Sequence, residues 1–147
     1  QPNDGQGHVP NCTPGDYSSN PPTSGCHLDT PANWGVYITP QDATQLIHNL
    51  EHGGIVIWYQ QGALDEASVG QLADYVNSQV ATGIGGRFKF ILSPWSGAAF
   101  EDDHPIAVTA WRSLLFLDEA NVDAIRSFAD VRYQRAPENA GGPAPPG

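Results

Sequence analysis

The sequence predicts an α+β domain: a mixed β-sheet with three helices, in the order β-α-β-α-β-β-α, preceded by a long Pro/Gly-rich N-terminal segment. Three observations lead there. Short runs rich in β-branched and aromatic residues, such as Ile55-Val56-Ile57-Trp58-Tyr59, have the length and composition of buried strands. Other stretches repeat apolar residues at helical spacing, as Leu64, Val69, Leu72, Ala73, Val76 and Val80 do. The two kinds of segment alternate, which favours a mixed sheet with helices packed on it. The same order occurs in thioredoxin-like folds, although no Cys-x-x-Cys opens the first helix.

Taken in order, residues 1–35 carry Pro2, Pro10, Pro14, Pro21, Pro22 and Pro31 and read as a Pro/Gly-rich arm packed on the domain. Val36, Tyr37 and Ile38 form a short strand. Thr39-Pro40-Gln41-Asp42 predicts a helix start, with Thr39 as cap, Pro40 at the first helical position and Asp42 completing a capping box. That helix runs to about His52 and stops at Gly53-Gly54. A strand over 55–59 follows, then a helix from Asp65 to about Val80, broken by the glycines of 83–86. Residues 88–92 read as a strand ended by Pro94, and 106–111 as another. The last helix runs from Asp118 to about Tyr133, burying Val122, Ile125, Phe128 and Ala129. Residues 36–138 thus form the α+β domain, and 139–147 a flexible or polyproline-like tail.

The chain of 147 residues fits one domain with a core of its own, and 39% of it is hydrophobic. Six Lys+Arg stand against sixteen Asp+Glu, a formal net charge of -10. Nucleic acid and anionic lipid both need a basic footprint, so neither is an expected partner. Such a surface attracts cations, and it also simply confers solubility. No apolar run approaches the ~20 residues of a membrane span. The chain begins at Gln1 without Met, which reads as a processed, exported protein or a trimmed one. Cys12 and Cys26 are the only cysteines, and a bridge between them would close a short loop in the arm. That pairing suits an oxidising, extracytoplasmic compartment (periplasm, cell surface or medium). The alternative is that Cys26, beside His27, is a thiolate metal ligand.

The stretch that carries chemistry is Leu46-Ile47-His48-Asn49-Leu50-Glu51-His52. His48 and His52 are four apart on a helix, so both imidazoles leave one face and are spaced to share a metal ion. Helical histidine pairs are commonly ordinary surface or core residues, but this chain has only five His. Of the others, His27 follows the rigid Pro21-Pro22-Thr23-Ser24-Gly25-Cys26 segment. His104 sits in the acidic loop Glu101-Asp102-Asp103-His104-Pro105, and His8 in the arm. The expected ligands are His27, His48 and His52, with His104 as a further one and His8 behind it. The string is not the zinc-peptidase signature, in which Glu directly follows the first His. Glu51 sits ~100° from His52 around the helix and is expected to point elsewhere, or to orient a ring from outside the ligand set. Phosphate-loop, dinucleotide and nucleophile-elbow patterns are lacking, and no catalytic residue is assigned.

The blocks Asn20-Pro21-Pro22-Thr23-Ser24-Gly25-Cys26-His27, Trp34-Gly35-Val36-Tyr37, residues 46–59 and Pro105-Ile106-Ala107-Val108-Thr109-Ala110-Trp111 resemble the bacterial DUF3105 family. The resemblance runs from about His8 to Glu138 and implies an exported or membrane-tethered protein, without naming a reaction. In that family the position of His104 often holds Met, and His and Met are both good copper ligands. The position of Cys26 usually holds Pro there, so a Cys12–Cys26 bridge would be particular to this chain. The expected function is therefore metal capture, storage or delivery outside the cytoplasm, with copper ahead of zinc. A metal-dependent hydrolase or oxidase using the same histidines is one alternative. The other is a structural module that assembles, with itself or with neighbours, through the arm.

Overall fold

The sheet is built from the middle outward. The computed structural model describes residues 1–138. The tail at 139–147, expected to be flexible or polyproline-like, lies outside the described residues. The elements are β1 (Gly35–Val36), α1 (Ala43–Glu51), β2 (Ile55–Gln60), α2 (Glu66–Val80), β3 (Phe90–Trp95), β4 (Ile106–Ala110), β5 (Ser113–Leu117) and α3 (Val122–Arg132), with one 3-10 turn at Glu101–Asp103. The five strands lie in the order β1-β3-β2-β4-β5. β1, β3 and β2 are mutually parallel, and β4 and β5 continue the sheet antiparallel. This is the α+β class with a mixed sheet and three helices that the sequence predicts.

The extra strand is β5. It leaves β4 through the two-residue turn Trp111-Arg112, between the paired residues Ala110 and Ser113. Arg112 sits at φ 58°, where hairpins ordinarily place Gly or Asn, so the turn carries no sequence signal. The boundaries of four other elements also differ: β1 is Gly35–Val36 rather than 36–38, with Ile38 exposed beyond it, and α1, α3 and β3 shift too. Asp42, not Thr39, caps α1, accepting from Thr44 N at 2.8 Å. Residues 39–41 stay outside the helix because Gln41 N donates instead to Ser93 Oγ on β3 (3.0 Å). α3 begins behind Asn121, which accepts from Ala124 N at 3.0 Å, rather than at Asp118. Pro94 lies inside β3 instead of ending it. Leu92 O accepts from Tyr37 N on the β1 side, so two residues on, Pro94 faces that same side, past the last pair Val36–Leu92. Its missing N–H therefore leaves no ladder bond unmade.

Successive strand residues face opposite sides of the sheet. Val56 and Trp58 point to one face and pack with Leu46, Ile47 and Leu50 of α1. Ile55 and Ile57 point to the other, against Leu72 and Val76 of α2 and Ile125 and Ala129 of α3. α1 thus stands alone on its face, and the arm covers its outer side. Cys12 and Cys26 are joined by a disulfide (Cα–Cα 5.9 Å), which fastens the arm's own loop. No helix among the described residues is long and apolar enough to cross a membrane.

Candidate metal centre

The last turns of α1 are buried all round: Leu46, Ile47, His48, Asn49, Leu50 and Glu51 are all buried. The three apolar residues meet the sheet. The three polar ones meet the arm, each at a different point. Asn49, wholly buried, accepts from Ala32 N (2.9 Å) and donates to Ala32 O (2.8 Å). His48 Nδ1 donates to Leu28 O at 2.8 Å. Glu51 meets two histidines of the arm: its Oε1 lies 3.3 Å from His8 Nε2 and 3.3 Å from His27 Nε2. Those two residues are brought together by an isolated parallel β-bridge, 8 with 27, held by Val9 N to His27 O (2.9 Å) and His27 N to Gly7 O (3.1 Å).

His8, His27 and His48 therefore converge, and their ligand nitrogens all lie within 4.8 Å of one another. A tetrahedral ion with bonds of ~2.0–2.1 Å needs its nitrogens about 3.3–3.4 Å apart, so modest ring rotations close the set. Two of the rings are already in the ligand tautomer. A carbonyl only accepts, so the bonds from Nδ1 to Gly25 O in His27 (2.7 Å) and to Leu28 O in His48 leave each Nε2 with its lone pair when neutral. His27 is wholly inaccessible, and its buried Nε2 makes no hydrogen bond despite the nearby carboxylate. His8 is the exposed member: its side chain is 32% exposed, and its Nδ1 is 3.1 Å from the exposed Asp29.

Ring planes decide which nitrogens can share an ion, because the lone pair lies in the plane of its ring. His27 stands at 66° to His8 and 70° to His48, so its plane cuts both. His8 and His48 are stacked at 21° with centroids 4.8 Å apart, so His8, the exposed ring, is the one that must turn to join them on one ion. His48 and His52 are parallel to within 3°, with centroids 4.8 Å apart. Their in-plane lone pairs do not meet on one point, so the pair expected from the sequence is in contact without forming a chelate. His52 Nδ1 is nonetheless buried and without a partner. His104 lies apart: its Nδ1 donates to Glu101 O (2.6 Å), its ring stacks on Phe116, and Asp118 is 3.6 Å from its Nε2. It touches none of the clustered histidines. Cys26 is in the disulfide and offers no thiolate.

Glu51 follows the second of its two expectations, beside histidine rings, rather than pointing elsewhere. It is 100° from His52, but it is also three residues from His48, and residues three apart share a helix face. The arm then sets His8 and His27 over that same face. A second group of potential ligands, His8, Glu51 and Glu138, adjoins the first. Glu138 N donates to Glu51 O at 3.0 Å, and the two carboxyls share a hydrogen bond. Burial, then that bond, pushes the Glu51 carboxyl up to about 7, while burial and the neighbouring His48 and His8 push His27 down to about 4. At neutral pH His27 is thus neutral and the Glu51 carboxyl stands near the midpoint of its titration. A lone Glu after the last helix carries no sequence signal, so Glu138 is visible only in the fold.

These features define a class: an α+β domain in which the helix standing alone on one face of the sheet is covered by a disulfide-closed arm through a buried histidine–carboxylate cluster. The chain belongs to the DUF3105 family, described as a protein of unknown function, whose model matches residues 8–143. No curated protein and no solved structure matches it.

Proposed function

We propose that this protein binds a first-row transition metal, copper ahead of zinc, at His8, His27 and His48 with Glu51 beside them, and serves in metal capture, storage or delivery outside the cytoplasm. The observation that carries the reading is His27 Nε2: a nitrogen with no accessible surface and no hydrogen bond, aimed among two further imidazoles and a carboxylate. An unsatisfied buried polar atom costs roughly 1–3 kcal/mol, and a metal ion is the partner that three imidazole nitrogens and a carboxylate oxygen suit together. Copper heads the divalent series at a nitrogen-rich site unless geometry opposes it. The disulfide supports an oxidising compartment.

A competition titration with Cu(II) and Zn(II) tests this, with His27→Ala as the variant. The parent is expected to hold copper against a competing chelator more tightly than zinc, and His27→Ala to lose that affinity. Equal copper affinity in parent and variant removes the proposal.

A metal-dependent hydrolase or oxidase is the second reading, favoured by one observation. Glu51 is buried, within 3.3 Å of two imidazoles and poised near neutrality, as a proton acceptor for metal-bound water would be. Turnover that vanishes in Glu51→Gln while metal is retained would carry that reading over simple binding.

A further inference from the structure

We propose that the cleft between the β4–β5 turn and the end of α3 binds a small polyvalent oxyanion, a phosphate or a polycarboxylate, on Arg112, Arg132 and Arg135. This site shares no residue with the histidine cluster and does not depend on the metal reading.

The placing of charge sets the cleft apart. The chain has six Lys+Arg against sixteen Asp+Glu. All sixteen acidic side chains lie among the described residues. Arg87 and Arg126 pair with Asp130 (2.6 Å) and Asp123 (2.8 Å). Lys89 Nζ donates to His52 O (2.8 Å) and to Gln134 Oε1 (3.1 Å). The remaining three cations, Arg112, Arg132 and Arg135, have no carboxylate at ion-pair distance. All three line one cleft of about 600 Å³, and no acidic residue lines it. A chain with so large a surplus of acid thus gathers its three unpaired cations in one place. Like charges brought together repel, and an anion between them turns that repulsion into attraction.

The backbone on both sides of the cleft is held in the left-handed region. Arg112 sits there itself, at φ 58°, and Arg135 follows Gln134 at φ 59°. Such conformations are uncommon for residues other than Gly and collect at ligand-binding sites. Each is fixed from outside: Arg112 N donates to Thr23 O (3.0 Å) and Gln134 N to Gly53 O (2.9 Å). Arg135 N donates to Arg132 O (3.2 Å), which keeps these two arginines on the same turn.

The rest of the lining suits an anion too. Asn3 Oδ1 accepts from Gly5 N (3.0 Å), which leaves the Asn3 NH2 for a ligand. Ser113 brings a hydroxyl, and Trp111, almost wholly buried, forms a wall. A guanidinium has five N–H donors and no acceptor, and its fork matches carboxylate or phosphate oxygens two at a time. The volume is that of a small-molecule site.

The test is calorimetric titration of the full chain, freed of metal, with citrate and with inorganic phosphate at pH 8 and constant ionic strength. Ordinary histidines are neutral there and draw no anion. One ligand per chain is expected, and the tighter of the two tells whether the cleft takes carboxylate or phosphate oxygens. Arg132→Gln/Arg135→Gln should lose at least about tenfold in affinity, as loss of charged hydrogen bonds does. Arg87→Gln/Arg126→Gln removes the same charge outside the cleft and should change affinity by less than about twofold. Arg112→Gly should also lose about tenfold and unfold at no lower a temperature than the parent, because Gly takes a positive φ freely. No binding of either anion by the parent overturns the site. Undiminished affinity in either cleft variant overturns it as well. An equal loss in Arg87→Gln/Arg126→Gln would show net charge alone at work and overturn it too.

Discussion

His8 and His27, nineteen positions apart in the arm, pair backbone to backbone and bring their ring centroids to 4.5 Å. The disulfide bridges the intervening segment, from Cys12, four residues beyond His8, to Cys26, next to His27. Closing a loop of this length is worth about 3 kcal/mol in the chain-entropy account. We expect no free thiol in the unreduced, unfolded chain. Cys12→Ser/Cys26→Ser should lower unfolding stability by about that amount and weaken copper binding, because it frees both arm ligands at once. Two titratable thiols in the unreduced chain, or unchanged copper affinity in the double variant, would contradict this.

Asn49 should be an anchor of the arm on α1. It satisfies both the N–H and the C=O of Ala32 and has no exposed surface. Asn49→Ala leaves those two backbone groups without partners, at roughly 1–3 kcal/mol each if water does not reach them. Limited proteolysis should then cut the arm faster in the variant, with α2 and α3 still protected. An arm as resistant as the parent's would show that the disulfide and the histidine contacts suffice.

The apo protein should respond to acid in a way that depends on Glu51. His27 is lowered to about 4, so its neutral, buried form contributes stability that is full above about 6.5 and is lost as pH falls toward 4. His52 is lowered in the same direction by burial, then by His48. Glu51 is raised to about 7, so it contributes stability below its ordinary value, lost as pH rises through 7. Between about pH 4.5 and 6.5 the Glu51 and His27 effects oppose. Glu51→Gln removes one of them. Its stability should fall more steeply on acidification than the parent's, by at most one proton, about 1.4 kcal/mol per pH unit. Denaturant titrations at several pH values measure it, and parallel profiles would refute it.

The sequence made the elements of the fold legible where apolar period and composition agreed, as in β2 and α2. It failed where tertiary contacts overrode local signals. Thr39-Pro40 looked like a helix start, but Ser93 holds Gln41 on the sheet. β5 hid behind a turn whose left-handed position is an Arg. At the site, the His48–His52 spacing points to α1, and that helix contributes His48 and Glu51 to the cluster. The partners could not be read. His8 reaches the cluster through a β-bridge in a Pro/Gly-rich arm with no periodicity, and only a contact across the fold reveals it. Of the two expectations for Glu51, pointing elsewhere does not hold and standing beside a histidine ring does, because His48 lies one turn back on its own face and the arm histidines sit over that face.

The two loop histidines that the sequence ranked in one order should behave in the other. His8 lies within ligand distance of His27 and His48, and it is the one ring of the three not held by a backbone carbonyl. It is also the most exposed of them, so it can turn to meet an ion arriving from solvent. Losing an outer-shell partner typically costs 10–100-fold in metal affinity; losing His8, a direct donor, should cost at least about that much. His104 has a partner for each nitrogen, Glu101 O at 2.6 Å and Asp118 at 3.6 Å, and a stacking partner in Phe116. With no second imidazole beside it, it supplies one ligand where three or four are needed. His104→Ala should keep copper affinity within about twofold, as changes at independent sites do, and lose a little stability from the Phe116 contact. Competition titrations of both variants against the parent decide the order. If His104→Ala loses as much copper affinity as His8→Ala, the centre is not where His27 and Glu51 place it.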